Sequence, residues 1–467
     1  MGDRARRAIT GLCRRTGRLC GLGTLAALPP SHALACALPP SVILTLPTGH
    51  YITGAAVVVA VTAVMGAAAD RLPELRPREM LERRVVLPVS VSSYLSFLVF
   101  LALVFVGFFG ARDPMHNLMT LVFWTGVWIV VPLASMVFGN IWRPINPWTA
   151  PVRITRTLLH RKGGIGLSRL GHWPAVAFFA GFIWFQMVSL RPDDPFVLAA
   201  VALVYWLVIF ALAVAEGEDW LEKGEFLTVL MGYLARVAPF WLEIDGGRAR
   251  MMYGWPGSQV LRMAPLGASE IAFVTLALAG LTFDGLGETF WWLAIIGENP
   301  LEPTGRSAVM LDNTLGLIGT WALTAGSILA VIGIGRVLGG PGFSAGPVML
   351  SFLAIAAGYH AAHYIVILLT TGQYTLAALN DPFFQGDSLL GLPPFYVSFG
   401  FLTDPQVMPL IYGLQFAAIL GAHLLAVLLS LRLVGGEVRA IAHLPMTALM
   451  VGYTILGLWL LSTARAG

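Results

Sequence analysis

Apolar runs of about eighteen residues or more recur along the whole chain, each long enough to cross a hydrocarbon core of roughly 30 Å as a helix. Few folds accept such a pattern, because a segment in lipid must satisfy its own backbone N–H and C=O groups. The composition agrees. Of 467 residues 57% are hydrophobic and only 12% charged, whereas a soluble domain carries about 25% charged residues. The formal charge of +4 does not point to nucleic acid, since the basic residues sit in short loops between the apolar runs. The sequence predicts an all-α, polytopic membrane helix bundle of about ten transmembrane helices, with the lipid bilayer as its first partner.

The spans read as residues 52–69, 86–109, 118–138, 172–190, 196–215, 266–282, 314–334, 346–370, 409–431 and 444–461. Between them, the loops at 70–85, 139–171, 216–265, 335–345 and 432–443 hold 19 Lys and Arg, while the opposite loops and the tail hold Arg112, Arg191, Arg306 and Arg465. The positive-inside rule assigns the first set to the cytoplasm. With the start of the mature chain exported, this predicts a multi-pass cytoplasmic-membrane protein with both mature termini on the outer side.

Residues 1–35 combine Arg4, Arg6, Arg7, Arg14, Arg15 and Arg18 with a short apolar stretch and Ala33-Leu34-Ala35. That is the shape of a cleavable secretory signal, or of an uncleaved first helix interrupted by Pro29 and Pro30. Cys36 follows Ala35, but Ala33 stands where a lipobox prefers Leu. Cys13, Cys20 and Cys36 are the whole cysteine content, so the membrane body has no disulfide framework or cysteine metal site. Residues 36–467 then form a single transmembrane domain. Within the 216–240 loop, Trp220, Phe226, Leu230, Tyr233, Leu234 and Val237 alternate with charges, which predicts an amphipathic interfacial helix on the cytoplasmic surface. The outer-face loops 283–313 and 371–408 are long and aromatic-rich, the profile of a lid. No inverted repeat of the kind found in secondary transporters is apparent.

Ionisable groups inside a bilayer are costly and face the bundle interior, so each is a site candidate. His360 and His363, flanked by Tyr359 and Tyr364, share one side of the eighth span, and Tyr412, Gln415 and His423 share a sector of the ninth. Neighbouring antiparallel helices would bring these faces together. Two imidazoles on one helix and a third on the next can supply three ligands to a zinc-like divalent metal, leaving one position for water. Interhelical hydrogen bonding and haem ligation by His363 and His423 are the alternatives. Asp284 is the first choice for a carboxylate partner, with Asp381 and Asp312 as substitutes. Glu270 reads as a snorkelling or Arg262-paired residue, and Trp142, Trp148, Trp173, Trp291 and Trp292 as an interfacial belt. His50 and His116 read as solvated.

The segments DPMHN at Asp113, FGNIWRPINPW from Phe138, EDWLEKGE from Glu218, FDGLGETFWW from Phe283, AHYIVILLTTGQ from Ala362, DPF at Asp381, GAHLLAVL from Gly421 and GYTILGLWLL from Gly452 run in order over most of the chain. In these it resembles the fenitrothion hydrolase family of multi-spanning bacterial membrane proteins. The resemblance implies a membrane-bound organophosphate triester hydrolase whose polar positions include Asp284, His363, Tyr364, Gln373, Asp381 and His423. His360 falls outside the family's pattern.

Three functions follow as expectations. In a hydrolase of apolar esters opening to the outer face, His363, His423 and His360 hold a metal whose water attacks the ester. Asp284, Tyr364 and Gln415 then act in catalysis, while Tyr359, Gln373, Asp381 and Tyr412 line the cavity. In a transporter or metal-handling protein the same histidines bind cargo or relay protons. The third is a haem-binding subunit. A small apolar molecule is the expected ligand, and a second subunit or a homo-oligomer remains open.

Overall fold

The computed structural model describes residues 48–68, 77–84, 88–245, 247–302, 304–392, 397–434 and 438–463. The expected signal segment and all three cysteines lie outside the described residues.

Each of the ten apolar runs folds as a helix. They are α1 (Thr48–Ala68), α2 (Val89–Phe109), α3 (Leu118–Phe138), α5 (Trp173–Met187), α6 (Pro195–Glu216), α8 (Ala268–Leu286), α9 (Met310–Gly339), α10 (Ala345–Asn380), α11 (Val407–Val434) and α12 (His443–Ser462). Among the described residues the connections also hold helices, the longest being α4 (Thr149–Leu158) and α7 (Phe226–Leu234). Among the described residues, eight helices are long and apolar enough to span a membrane; α5 and the apolar part of α1, Ile52–Val64, are shorter. The architecture is that of a multi-pass, almost all-helical membrane protein.

Local chemistry sets the helix ends. Asp194 caps α6 by accepting from the Phe196 and Val197 amides, with Pro195 in the first turn. Asn117 caps α3 through the Met119 amide. At 36 residues, α10 is about 54 Å long and takes up the start of the stretch expected as a loop from 371. Nothing in TGQYTLAALN stops a helix; it ends at Asp381, whose successor Pro382 disfavours helical backbone before it.

Two helices form the centre. Every residue from Val348 to Ala357 of α10 is buried, as is every residue from Phe273 to Leu281 of α8, the all-round burial of a helix enclosed by others. The outer helices turn apolar residues such as Val99, Phe105, Val204 and Leu323 outward, as a lipid-facing surface requires. Helix α11 runs antiparallel to α10 in close contact at Gly358, where a small residue lets backbones approach.

At the end of the bundle bearing the basic loops, β1 (Arg78–Arg84), β2 (Phe240–Asp245) and β3 (Arg248–Tyr253) form an antiparallel sheet in the order β1-β3-β2. Arg78 and Phe240 both face Tyr253, with a bulge between Glu79 and Leu81. This sheet, absent from the sequence reading, ties the α1–α2 connection to the α7–α8 connection. The helix expected in the 216–240 stretch forms as α7, and seven of its nine residues are buried. Phe226 stacks on Phe179 and Phe182 at the middle of α5, so α7 starts inside the bundle.

Candidate functional site

Near the end of α8 away from the basic loops, the Asp284 carboxylate meets two side chains of α10. His363 Nε2 lies 2.8 Å from Asp284 Oδ2, and the Tyr364 hydroxyl donates to the same oxygen at 3.0 Å. Tyr364 in turn accepts from Trp128 Nε1 at 2.9 Å and from Gln186 Nε2 at 3.3 Å. Four helices, α3, α5, α8 and α10, thus converge on one hydroxyl and one carboxylate. The His363 side chain is 4% exposed and Asp284 19%, so the carboxylate is the more accessible partner.

Trp128 owes its position to an unusual winding of α3. Val122–Val130 is π-helical, with the Val131 amide bonded to the Gly126 carbonyl. Such widened turns concentrate at functional positions. The Trp128 carbonyl accepts from His360 Nε2 at 3.1 Å. Beside it lies a cavity of about 20 Å³, lined by Trp128, Gln186, His360 and Tyr364 among apolar neighbours, room for roughly one water.

The three imidazoles expected to share a metal do not converge. Among the described residues, no group of three His, Cys, Asp or Glu side chains could hold a metal ion. Helix register is the reason. Gln415 Nε2 donates to the Ala362 carbonyl at 2.8 Å, and Gly358 packs between Ala418 and Ala422. That alignment puts His423 level with Ile355, about eight residues or ~12 Å along the axis from His363. His423 Nδ1 donates to the Ile419 carbonyl at 2.8 Å, and His423 faces a separate cavity with Ile355, Tyr359 and Tyr453.

The other expected residues disperse. Gln415 is a buried helix-to-helix link. Gln373 pins the following loop, donating to the Ser398 carbonyl and accepting from the Ser398 amide. Asp381 accepts from the Gln385 and Gly386 amides in a turn, Asp312 stands in the first turn of α9, and Tyr412 packs beside Met408 and Ile411. Tyr359 lies near Gly285, where an added methyl would stand 3.3 Å from its hydroxyl, one residue from Asp284.

A second buried polar cluster escaped the sequence reading. Glu225, fully buried, caps α7 and accepts four hydrogen bonds. The Tyr205 hydroxyl at 2.5 Å and the Leu227 amide at 2.9 Å donate to Oε1; the Thr228 amide and hydroxyl donate to Oε2. Asn146 Nδ2 and Trp142 Nε1 then donate to the Thr228 hydroxyl. The run EDWLEKGE belongs to the stretch expected as a surface helix, and nothing in it marks Glu225 as the carboxylate that turns inward.

No family model matches the chain, and no curated protein or solved structure matches it.

Proposed function

We propose that the Asp284–His363 pair is the proton-handling centre of a transporter for a small solute. The observation that carries the reading is the 2.8 Å contact between His363 Nε2 and Asp284 Oδ2 inside a helix bundle. Intramembrane carboxylates and imidazoles are the usual carriers of proton relays. Asp284 accepts from both His363 and Tyr364, so a proton arriving on the carboxylate weakens two links between α8 and α10 at once. That is a direct means of coupling protonation to helix packing. The adjoining cavity is water-sized, which suits a proton better than an ester. With the basic loops in the cytoplasm, the pair lies toward the outer face.

The test is reconstitution into liposomes with an internal pH-sensitive dye and an imposed gradient. Wild-type protein is expected to dissipate the gradient, and Asp284→Asn to slow this roughly a hundredfold, as for loss of a positioned proton acceptor. Equal rates in the two proteins overturn the reading.

One observation favours a second reading, hydrolysis of apolar esters such as aryl phosphotriesters. His363 Nδ1 is buried without a hydrogen-bond partner among the described residues, while Nε2 is held by Asp284. A carboxylate-oriented imidazole with one free nitrogen is the arrangement of a general base, and the likeness to the fenitrothion hydrolase family supports the same chemistry. Turnover of a chromogenic phosphotriester by purified protein, lost in His363→Gln, would move the assignment to this reading.

A further inference from the structure

At the basic end of the bundle, α4 runs into a loop that leads to the start of α5. Three cations along this segment, Arg161, Lys162 and Arg169, are exposed and have no acidic partner among the described residues. Their neighbours Leu158, Leu159, Ile165 and Leu170 are apolar and also exposed, Leu158 by 74%. Exposed leucines beside exposed cations are the composition of a surface seated at the headgroup level, with the apolar groups entering the acyl boundary.

The loop is not a loose tether. Glu216, the last residue of α6, accepts from three consecutive amides: Gly166 at 2.7 Å and Leu167 at 2.9 Å on Oε2, and Ser168 at 3.0 Å on Oε1. Arg156 closes the other side, donating to the Val214 carbonyl at 2.7 Å and the Gly163 carbonyl at 3.1 Å. A methyl on Gly164 would stand 2.7 Å from the Glu216 carbonyl oxygen, so the loop rests directly on the end of α6. His160 adopts a left-handed backbone, φ 49°, turning the chain just before Arg161. Arg153 is already paired with Glu218 at 2.8 Å. Of the acids on the adjoining segment, Glu218 is committed to Arg153 and Glu216 to the backbone.

We propose that this pinned loop is a binding site for the phosphate headgroup of an anionic phospholipid, held by Arg161, Lys162 and Arg169 with the lipid's chains against Leu158, Leu159 and Leu170. The charge is complementary, and the other loops at this end add to a positive field facing one leaflet. Juxtamembrane cations of this kind each contribute to attraction for anionic lipid. The site is separate from Asp284–His363 and does not depend on the function assigned to that pair.

The test uses the full chain in detergent, titrated with short-chain phosphatidylglycerol, short-chain phosphatidylcholine or glycerol phosphate, with binding followed by native mass spectrometry and unfolding midpoint. Phosphatidylglycerol is expected to bind and raise the midpoint, and phosphatidylcholine to do neither. The combined variant Arg161→Gln, Lys162→Gln, Arg169→Gln loses the effect, whereas Arg248→Gln on the sheet keeps it. Binding that survives in the triple variant, or that phosphatidylcholine reproduces, overturns the proposal. Equal binding of glycerol phosphate assigns the loop to free phosphate and overturns the lipid as occupant.

Discussion

The backbone of Gly358 on α10 lies directly against Ala422 on α11, leaving no room for a side chain between the helices. An added methyl would also stand 2.7 Å from the Ala418 carbonyl oxygen, which belongs to backbone and cannot swing away. This contact fixes the register that aligns Gln415 with Ala362 and separates His423 from His363.

Gly358→Ala is therefore expected to destabilise the bundle by about 1–3 kcal/mol through overpacking, read as a lower unfolding midpoint in detergent. Gly413→Ala on α11, where an added methyl meets nothing within 4 Å, is the control. It should hold or raise the midpoint, since alanine is a better helix former by about 1 kcal/mol.

Replacing Asp284 by alanine strands both the His363 Nε2 and the Tyr364 hydroxyl. The loss is expected to be about 1–3 kcal/mol, the cost of leaving a buried polar group unsatisfied. Asp284→Asn keeps an acceptor oxygen for one partner and should lie between wild type and alanine. An asparagine variant less stable than the alanine variant would contradict the bonding described here.

Glu225→Ala removes the α7 cap and leaves the Tyr205 hydroxyl without its acceptor. Loss of the cap alone costs about 1–2 kcal/mol. Amide exchange should accelerate over 226–234 before it does in α8 or α10, and hydrogen exchange with mass spectrometry resolves the difference. Uniform acceleration across all three helices would mean that α7 has no local stability of its own.

The Arg153–Glu218 pair makes an instructive contrast. Its guanidinium forms two bonds to the carboxylate, but the side chains are 51% and 31% exposed. Arg153→Gln should change stability by no more than about 1 kcal/mol, with the difference shrinking further in high salt. A large, salt-insensitive loss would argue for a role beyond the pair.

The spans were legible because apolar length is a local property, and each run of the sequence became a helix near its expected place. The sheet was not, since Arg78–Arg84 pairs with Arg248–Tyr253 and REMLERR has no alternation to mark it as a strand. Charges around α7 suggested a helix lying on a surface, yet its Phe226, Leu230 and Leu234 pack within protein; sequence periodicity does not reveal what covers the other side. At the site, Asp284, His363 and Tyr364 stood out as polar groups in apolar surroundings. Trp128 did not, because a tryptophan in an apolar run has no polar neighbour to mark its partner. The supposed meeting of His363 with His423 failed on axial offset, which face-by-face reading of single helices leaves undetermined.

The π-helical stretch of α3 has one more consequence. Each such turn accommodates one residue more than an α-helix of the same rise, so deleting a residue within Val122–Val130 relaxes the coil rather than shortening the helix. Residues beyond the stretch would keep their facing, while those inside it, Trp128 among them, would be drawn from the widened turns into ordinary α-helical positions, taking the indole off the Tyr364 hydroxyl and the carbonyl off His360. A single codon lost there would disassemble the polar centre while leaving the apolar length, and so the membrane crossing, intact.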